Sequence, residues 1–520
     1  MLYTASSYRG MVTAPHHLAA QAGLDILKDG GDARDAAVAV AATLAVVYPH
    51  MNSIGGDSFW LIREPGGEIR TVHAVGVAAQ KADLSFYAGL TAVPWRGPLA
   101  ANTVAGTISG WQAVLDGSAL PLGRVLCDAI FYADDGVAVT PGGGDLAAAK
   151  DAELRDMPGY AAVFRPQGRP LSAGDRLRQP ALAETLRRLA HEGLDGFYRG
   201  ALARDIAADL EAAGSPVSAA DLAAHRATAP QALSTRLAQA TLYNTAPPTQ
   251  GFASLLILAL YDRLKVSGEF AHIHGLVEAT KQAFIVRDRD IGDPAYMTLD
   301  PQALLADRDT LDRLAARIDP RRALAWPHEP TGGDTVWFGA VDGQGRAVSA
   351  IQSTYFEFGS GLVLPQTGIT WQNRGASFRL AESGWNALKP RRQPFHTLNP
   401  ALAVFDDGRV MAYGTMGGEG QPQTQAALFT RYAAGMGLQA AITAPRWLLG
   451  RTWGETSVTL KLEDRFEPGL YDALRGAGHE VELVAPFTSM MGHAGALVSH
   501  PDGRIDGATD PRSDGGVAAW

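Results

Sequence analysis

Residues 330–353, PTGGDTVWFGAVDGQGRAVSAIQS, read as a β-hairpin entered through Gly332-Gly333-Asp334. Val336, Phe338 and Ala340 alternate along the first strand, and Val348 and Ala350 along the second. Between them Asp342-Gly343-Gln344-Gly345 supplies residues that tolerate the positive φ of a tight turn. Thr335 therefore opens a strand, directly behind a flexible peptide. A β-branched residue suits that place on packing grounds alone, so its chemistry has to be judged from the rest of the chain.

Working outward, helices and strands come in blocks. HHLAAQAGLDILKDGG places Leu18, Ala22 and Ile26 on one face and stops at Gly30-Gly31. DARDAAVAVAATLAVV then starts on Asp32 as N-cap and is apolar nearly all round, which predicts a buried helix. DSFWLIREPGGEIRTVHAVG predicts a hairpin about Pro65-Gly66-Gly67, residues 146–324 read as mainly helical, and hairpins return about Asp406-Asp407-Gly408 and Pro501-Asp502-Gly503. The pattern predicts a layered α+β sandwich with strands from both ends of the chain at its centre.

Composition narrows the function. The chain has 520 residues and a net charge of −9 without charge blocks, which argues against a nucleic-acid or anionic-membrane partner. The single cysteine, Cys127, precludes an intramolecular disulfide and a cysteine metal cluster. The apolar runs at 36–47 and 255–260 fall short of the roughly 18–20 residues a membrane span needs. With no apolar secretory stretch at the start, a cytoplasmic address is expected. There is no G-x-S-x-G, no phosphate-binding loop ending in Gly-Lys-Ser/Thr and no H-E-x-x-H. His16-His17 at a helix start point in different directions and read as capping or surface residues, not metal ligands. What remains is a set of glycine pairs beside strands: Gly55-Gly56, Gly332-Gly333 and Gly417-Gly418.

A threonine hydroxyl becomes a competent nucleophile when a base stands beside it. Cleavage before Thr335 would expose an α-amino group, which titrates at about 8 and lies within reach of its own Oγ. Gly332-Gly333-Asp334 would let the chain kink so that the Thr335 hydroxyl attacks the Asp334 carbonyl. Gly417-Gly418, between a strand and a helical segment, would offer bare N–H groups to a developing oxyanion.

The blocks TAPHHLAAQAGLDILKDGGDARDAAVAVAATLAVVYP, IGGDSFWLI, NTVAGTISGW, HGLVEATKQAFIVRDRDIGDP, DTVWFGAVDGQGRAVS, FGSGLVLPQTGITWQNRGASF, MGGEGQPQ, APRW and GATDPRS, in this order, resemble the γ-glutamyltransferase family of N-terminal-nucleophile hydrolases. The resemblance implies a four-layer αββα fold and a precursor that cuts itself between Asp334 and Thr335. The products would be a large chain, residues 1–334, and a small chain, residues 335–520, interleaved in one globular unit. Thr335 falls on the family's nucleophile, Ser353 on a supporting hydroxyl position, and Gly417 and Gly418 on the oxyanion glycines. No cofactor or metal is implied; the partners are an amide substrate and the two chains themselves, and homo-oligomerisation stays open.

The carry-over then departs from γ-glutamyl enzymes. The place of the family's carboxylate-binding arginine lies near Val75, its ammonium-binding acidic residue aligns with Ser377 and the neighbouring glutamine with Arg374. A serine pair becomes His396-Thr397, and Tyr355 replaces a pocket asparagine. Losing a cation and an anion together removes the grip on an α-amino acid, while Arg374 offers a planar fork to one carboxylate. GDTVWFG, WQNRGASF and PFHTLNPA also look more like the oxamate amidohydrolase branch of the family. A small anionic amide is thus the expected substrate. Three other readings stay open: a γ-glutamyl hydrolase or transferase acting on glutathione-like amides, an acylase of bulkier side-chain amides similar to cephalosporin acylases, and an uncleaved binding protein.

Overall fold

The computed structural model describes residues 3–326, 334–450 and 457–520. Gly332 and Gly333 lie outside the described residues, as does the side chain of Asp334.

Two antiparallel sheets carry the architecture, with helices packed on them. Six strands form one sheet, in the order Gly516–Ala519, Gly10–Ala14, Asp334–Asp342, Ala347–Tyr355, Asp57–Arg63 and Ile69–Ala74. Seven form the other: Ala5–Ser7, Ile505–Thr509, Gly495–Ser499, Val410–Gly414, Ala401–Phe405, Ala240–Asn244 and Leu233–Arg236. Both sheets draw strands from either side of residue 334, so the two halves of the chain are interleaved.

Helices His17–Lys28 and Ala33–Val47 cover the six-stranded sheet, and Gly251–Leu264 and Gly420–Ala433 cover the seven-stranded one. The Ala33–Val47 helix starts as its sequence predicts: Asp32 accepts from the N–H groups of Arg34 and Asp35, and Asp35 returns a bond to the Asp32 N–H. No helix among the described residues is long and apolar enough to cross a membrane. The two apolar runs lie instead within buried helices.

The middle of the chain is mainly helical, as its sequence reads. Besides helices it contributes the strands Leu233–Arg236 and Ala240–Asn244, in which buried and half-exposed residues alternate. That period of two is masked by a stretch whose Ala, Leu and Arg content is helical.

Strand alternation along Asp334–Asp342 fixes the direction of Thr335. Val336, Phe338 and Ala340 pack into the cluster built on the His17–Lys28 and Ala33–Val47 helices. Val341 packs with Leu402, Val410 and Leu497 of the opposite sheet, and Trp337 with Phe59, Val75, Ile351 and Leu398. Thr335, in phase with Trp337, therefore faces the space between the sheets.

Trp337 is held there by a slot. Gly414 and Gly495 pair across neighbouring strands of the other sheet. A Cβ on Gly414 would lie 2.1 Å from Trp337 Cδ1, and one on Gly495 2.4 Å from Cζ3. The indole Nε1 donates to Ser349 Oγ at 3.0 Å. Gly414→Ala is expected to lower stability by about 1–3 kcal/mol through overpacking, read as a fall in the urea midpoint. An unchanged midpoint would show that the slot has room to spare.

Candidate active site

Thr335 is buried, and its Oγ1 donates to the Gln352 carbonyl at 3.4 Å. Its strand pairs regularly with Ala347–Tyr355 up to Val336 opposite Gln352, after which Asp334 faces Tyr355. Ser353 and Thr354 together thus oppose the single residue Thr335, a β-bulge. Ser353 Oγ accepts from the Tyr355 N–H at 2.8 Å and closes the bulge. Tyr355 pays for this shape with φ +86°, a left-handed value that costs a residue with a side chain roughly 1–3 kcal/mol.

On the far side of the Ser353 strand runs Gly55-Gly56-Asp57. A Cβ on Gly56 would lie 2.1 Å from the Ser353 carbonyl oxygen, and one on Gly55 2.3 Å from that of Thr370. These glycines are needed for close approach, and they wedge the segment between the Ser353 strand and residues 370–374. The Gly55 carbonyl accepts from the Gln372 N–H at 3.0 Å, which brings Arg374 to the site.

Arg374 opens a 3-10 turn, Arg374–Ser377, and is 1 % exposed. Its guanidinium carbon Cζ lies over the Tyr355 ring, 3.5 Å from the centroid, and Nη1 donates to Thr397 Oγ1 at 3.3 Å. Among the described residues, Nε and Nη2 have no hydrogen-bond partner. Burial holds the Arg374 pKa below its usual value, opposed by Tyr355 and Asp57. Ser377 stands in the same turn, but its hydroxyl donates to the Arg374 carbonyl at 3.0 Å. Val75 lies in the apolar cluster against Trp337.

Asp57 is a site residue that sequence reasoning missed. Its Oδ1 accepts from the N–H groups of Gly76 and Gly106, each at 3.0 Å, and from Gln372 Nε2 at 3.1 Å. Its Oδ2 is 3.0 Å from His396 Nε2. Even against these donors, burial lifts the Asp57 pKa to about 7. Burial, and secondly Arg374, hold that of His396 well below 6.5, so His396 is neutral and the contact is a hydrogen bond rather than an ion pair. A carboxylate straight after a glycine pair, at a strand start, was the available signal.

Gly417 and Gly418 link the strand Val410–Gly414 to the helix Gly420–Ala433, with φ of +114° and +52°. Only glycine adopts two such angles in succession without strain. Both are buried, yet neither N–H donates to another described residue. Buried N–H groups are rarely left unmade, and a pair of them before a helix start suits an oxyanion. The Gly418 carbonyl accepts from Gln250 Nε2 at 2.7 Å, and so does that of Thr397. Gln250 in turn accepts from Arg287. Neither residue carried a recognisable signal in the sequence.

Among the described residues, His274, Glu278 and His479 have the spacing of a metal site. His274 Nδ1 and His479 Nε2 are 2.8 Å apart, Glu278 Oε1 stands 4.0 Å from His479 Nε2, and Lys281 Nζ stands 2.7 Å from Glu278 Oε1. The ammonium already occupies the place of a cation. His16 caps its helix by accepting from the Leu18 N–H, and His17 is exposed.

A family model described as gamma-glutamyltranspeptidase matches residues 19–520. An oxamate amidohydrolase proenzyme of Klebsiella pneumoniae is 54% identical, with 99% of both chains covered. A glutathione hydrolase-like proenzyme of Bacillus subtilis is 41% identical over 97% of both. The crystal structure of a cephalosporin acylase from Bacillus halodurans superposes with a TM-score of 0.92 at 32% identity, covering 100% of this chain and 97% of that one.

The Asp57 carboxyl makes a prediction about pH. A carboxyl with a raised folded pKa contributes stability that is fully present below the unfolded value and is lost as pH rises through the folded one. For Asp57 that window runs from 3.8 to about 7. Asp57→Asn keeps an acceptor for the three donors and removes the titration. The stability of wild type relative to Asp57→Asn, from urea unfolding, is therefore expected to be greater at about pH 5 than at about pH 8. A difference that ignores pH would show an ordinary carboxylate.

Proposed function

This chain belongs to the gamma-glutamyltranspeptidase family of self-processing hydrolases, and we propose that it hydrolyses a short amide bearing a carboxylate, with oxamate the best fit. The reading includes the finer architecture, a four-layer αββα sandwich built from chains 1–334 and 335–520. Thr335 Oγ attacks the Asp334 carbonyl, the acyl group moves from nitrogen to oxygen, and water releases Asp334 as a carboxylate. The freed α-amine of Thr335 becomes the base of the mature enzyme.

In turnover, Oγ attacks the substrate amide carbonyl as the α-amine takes the hydroxyl proton. The N–H groups of Gly417 and Gly418 receive the oxyanion. The amine returns the proton to the leaving nitrogen and ammonia departs, leaving an ester on Thr335. Water, deprotonated by the same amine, attacks the ester, which collapses to the dicarboxylate and regenerates the hydroxyl. Ser353 supports this step by shaping the bulge opposite the nucleophile.

The observation that carries the substrate is Arg374, a buried cation whose Nε and Nη2 have no hydrogen-bond partner among the described residues. A buried guanidinium is stable when an anion meets it, and its fork matches a carboxylate. Thr397 flanks it, Tyr355 supports its face and neutral His396 adds no second charge. Among the described residues no grip on an α-ammonium is seen: the Ser377 hydroxyl closes its own turn, and Asp57 already accepts from three N–H donors and meets His396. The similarity to the Klebsiella pneumoniae protein points the same way.

The test is a comparison of kcat/KM for ammonia release from oxamate and for anilide release from a γ-glutamyl anilide, with oxamate expected to be higher. Arg374→Ala should raise KM for oxamate and cost about 2–5 kcal/mol in kcat/KM. Arg374→Lys should recover part, because a point charge lacks the fork. A preference for the γ-glutamyl anilide, or an Arg374→Ala enzyme equal to wild type, would overturn the substrate assignment.

A further inference from the structure

Two features that must act on one substrate lie in different parts of the chain. Arg374 and Thr397 form one wall; the Gly417-Gly418 turn forms another. One buried side chain bonds directly to both, beside the longer route through Asn399 and Gln421. Gln250 stands at the N-cap of the Gly251–Leu264 helix and is fully buried. Its Nε2 donates to the carbonyls of Thr397 and Gly418, both at 2.7 Å. Its backbone N–H donates to the His396 carbonyl at 2.9 Å, so it grips both residues of the His396-Thr397 pair.

The amide is itself fixed from behind. Gln250 Oε1 accepts from Arg287 Nη1 at 2.9 Å, and Arg287 Nη2 donates to Glu419 Oε1 at 2.9 Å. Arg287 also lies over the Phe284 ring, 3.7 Å from its centroid. All polar atoms of the Gln250 side chain are thereby engaged, and its orientation follows: only the NH2 end can meet two carbonyls, and only the oxygen can meet a guanidinium. Arg287 holds both Gln250 and the residue that follows Gly418, so the turn is tied at two successive positions.

We propose that Gln250 is a positioning residue that sets the gap between the carboxylate-binding wall and the oxyanion turn, and thereby the length of acid amide the enzyme accepts. This rests on the reading of Arg374 as the carboxylate site. Each methylene between carboxylate and amide lengthens the substrate by one C–C bond, about 1.5 Å. With both anchors fixed, one length places the amide carbonyl correctly, and a misplacement of about 1 Å costs on the order of 100-fold. Gln250 touches no substrate in this scheme; it acts through Thr397 and Gly418.

The experiment measures ammonia release from oxamate, malonamate and succinamate by the self-processed enzyme. Wild type should prefer oxamate by on the order of 100-fold over malonamate. Gln250→Met, of similar length but without hydrogen-bond donors, should lower kcat on oxamate by about 10- to 100-fold. KM should move little, since Arg374 and Thr397 remain. The oxamate-to-malonamate ratio should narrow by about tenfold or more. A partly unfolded enzyme loses activity on all three acids alike, so the ratio separates positioning from simple damage. Should Gln250→Met fail to fold or to process, Glu419→Gln weakens only the Arg287 tie behind Gln250 and next to Gly418, and should narrow the ratio in the same direction, less steeply. A ratio identical to that of wild type in the variant that processes would overturn the role of Gln250 while leaving the substrate reading intact. A wild type that hydrolyses none of the three acids would overturn the substrate reading and this inference with it.

Discussion

Trp337, clasped between the paired glycines Gly414 and Gly495, decides which face of its strand looks into the space between the sheets. A slip of one residue would send every side chain of that strand to the other face. The indole cannot be accommodated on the helix side, where Val336, Phe338 and Ala340 are packed. Register is therefore fixed two residues from Thr335, whose side chain lies on the Trp337 face of the strand as a consequence. The bulge at Ser353 and Thr354, the left-handed Tyr355 and the Arg374 stacked on its ring all follow outward from that register.

The electrostatics of the site are asymmetric in a way that chemistry can use. One guanidinium is buried with two nitrogens that have no partner among the described residues, and burial outweighs the support it receives from Tyr355 and Asp57. Asp57 is engaged with backbone donors, Gln372 and His396, and burial raises its pKa toward neutrality. His396 is kept uncharged. A site of this kind favours an anion that brings its own negative charge and disfavours a zwitterion, whose ammonium would meet the guanidinium.

Much of this was legible in the sequence because it is local. The hairpin about residues 342–345, the Asp32 cap and the glycine pairs are set by neighbours in the chain, and the structure has the hairpin and the cap where local rules put them. The pairs turned out to serve different ends: Gly55-Gly56 permits backbone approach within van der Waals distance, whereas Gly417-Gly418 supplies positive φ. What was not legible is long-range. Asp57 meets His396, and Gln250 meets Gly418, across hundreds and well over a hundred residues of chain, through contacts that no spacing rule encodes. The strands Leu233–Arg236 and Ala240–Asn244 were hidden for a related reason, since their pairing to Ala401–Phe405 overrides a helical composition.

The central claim is that Thr335 is a nucleophile made by cutting the chain in front of it. Its most direct test is the intact mass and N-terminal sequence of the purified protein, set beside Thr335→Ala. Wild type should consist of two chains, the smaller beginning at Thr335, and the variant of one uncut chain of 520 residues. A wild-type protein that stays in one piece while it hydrolyses amides would contradict the claim, because the α-amine that serves as base would never have been formed.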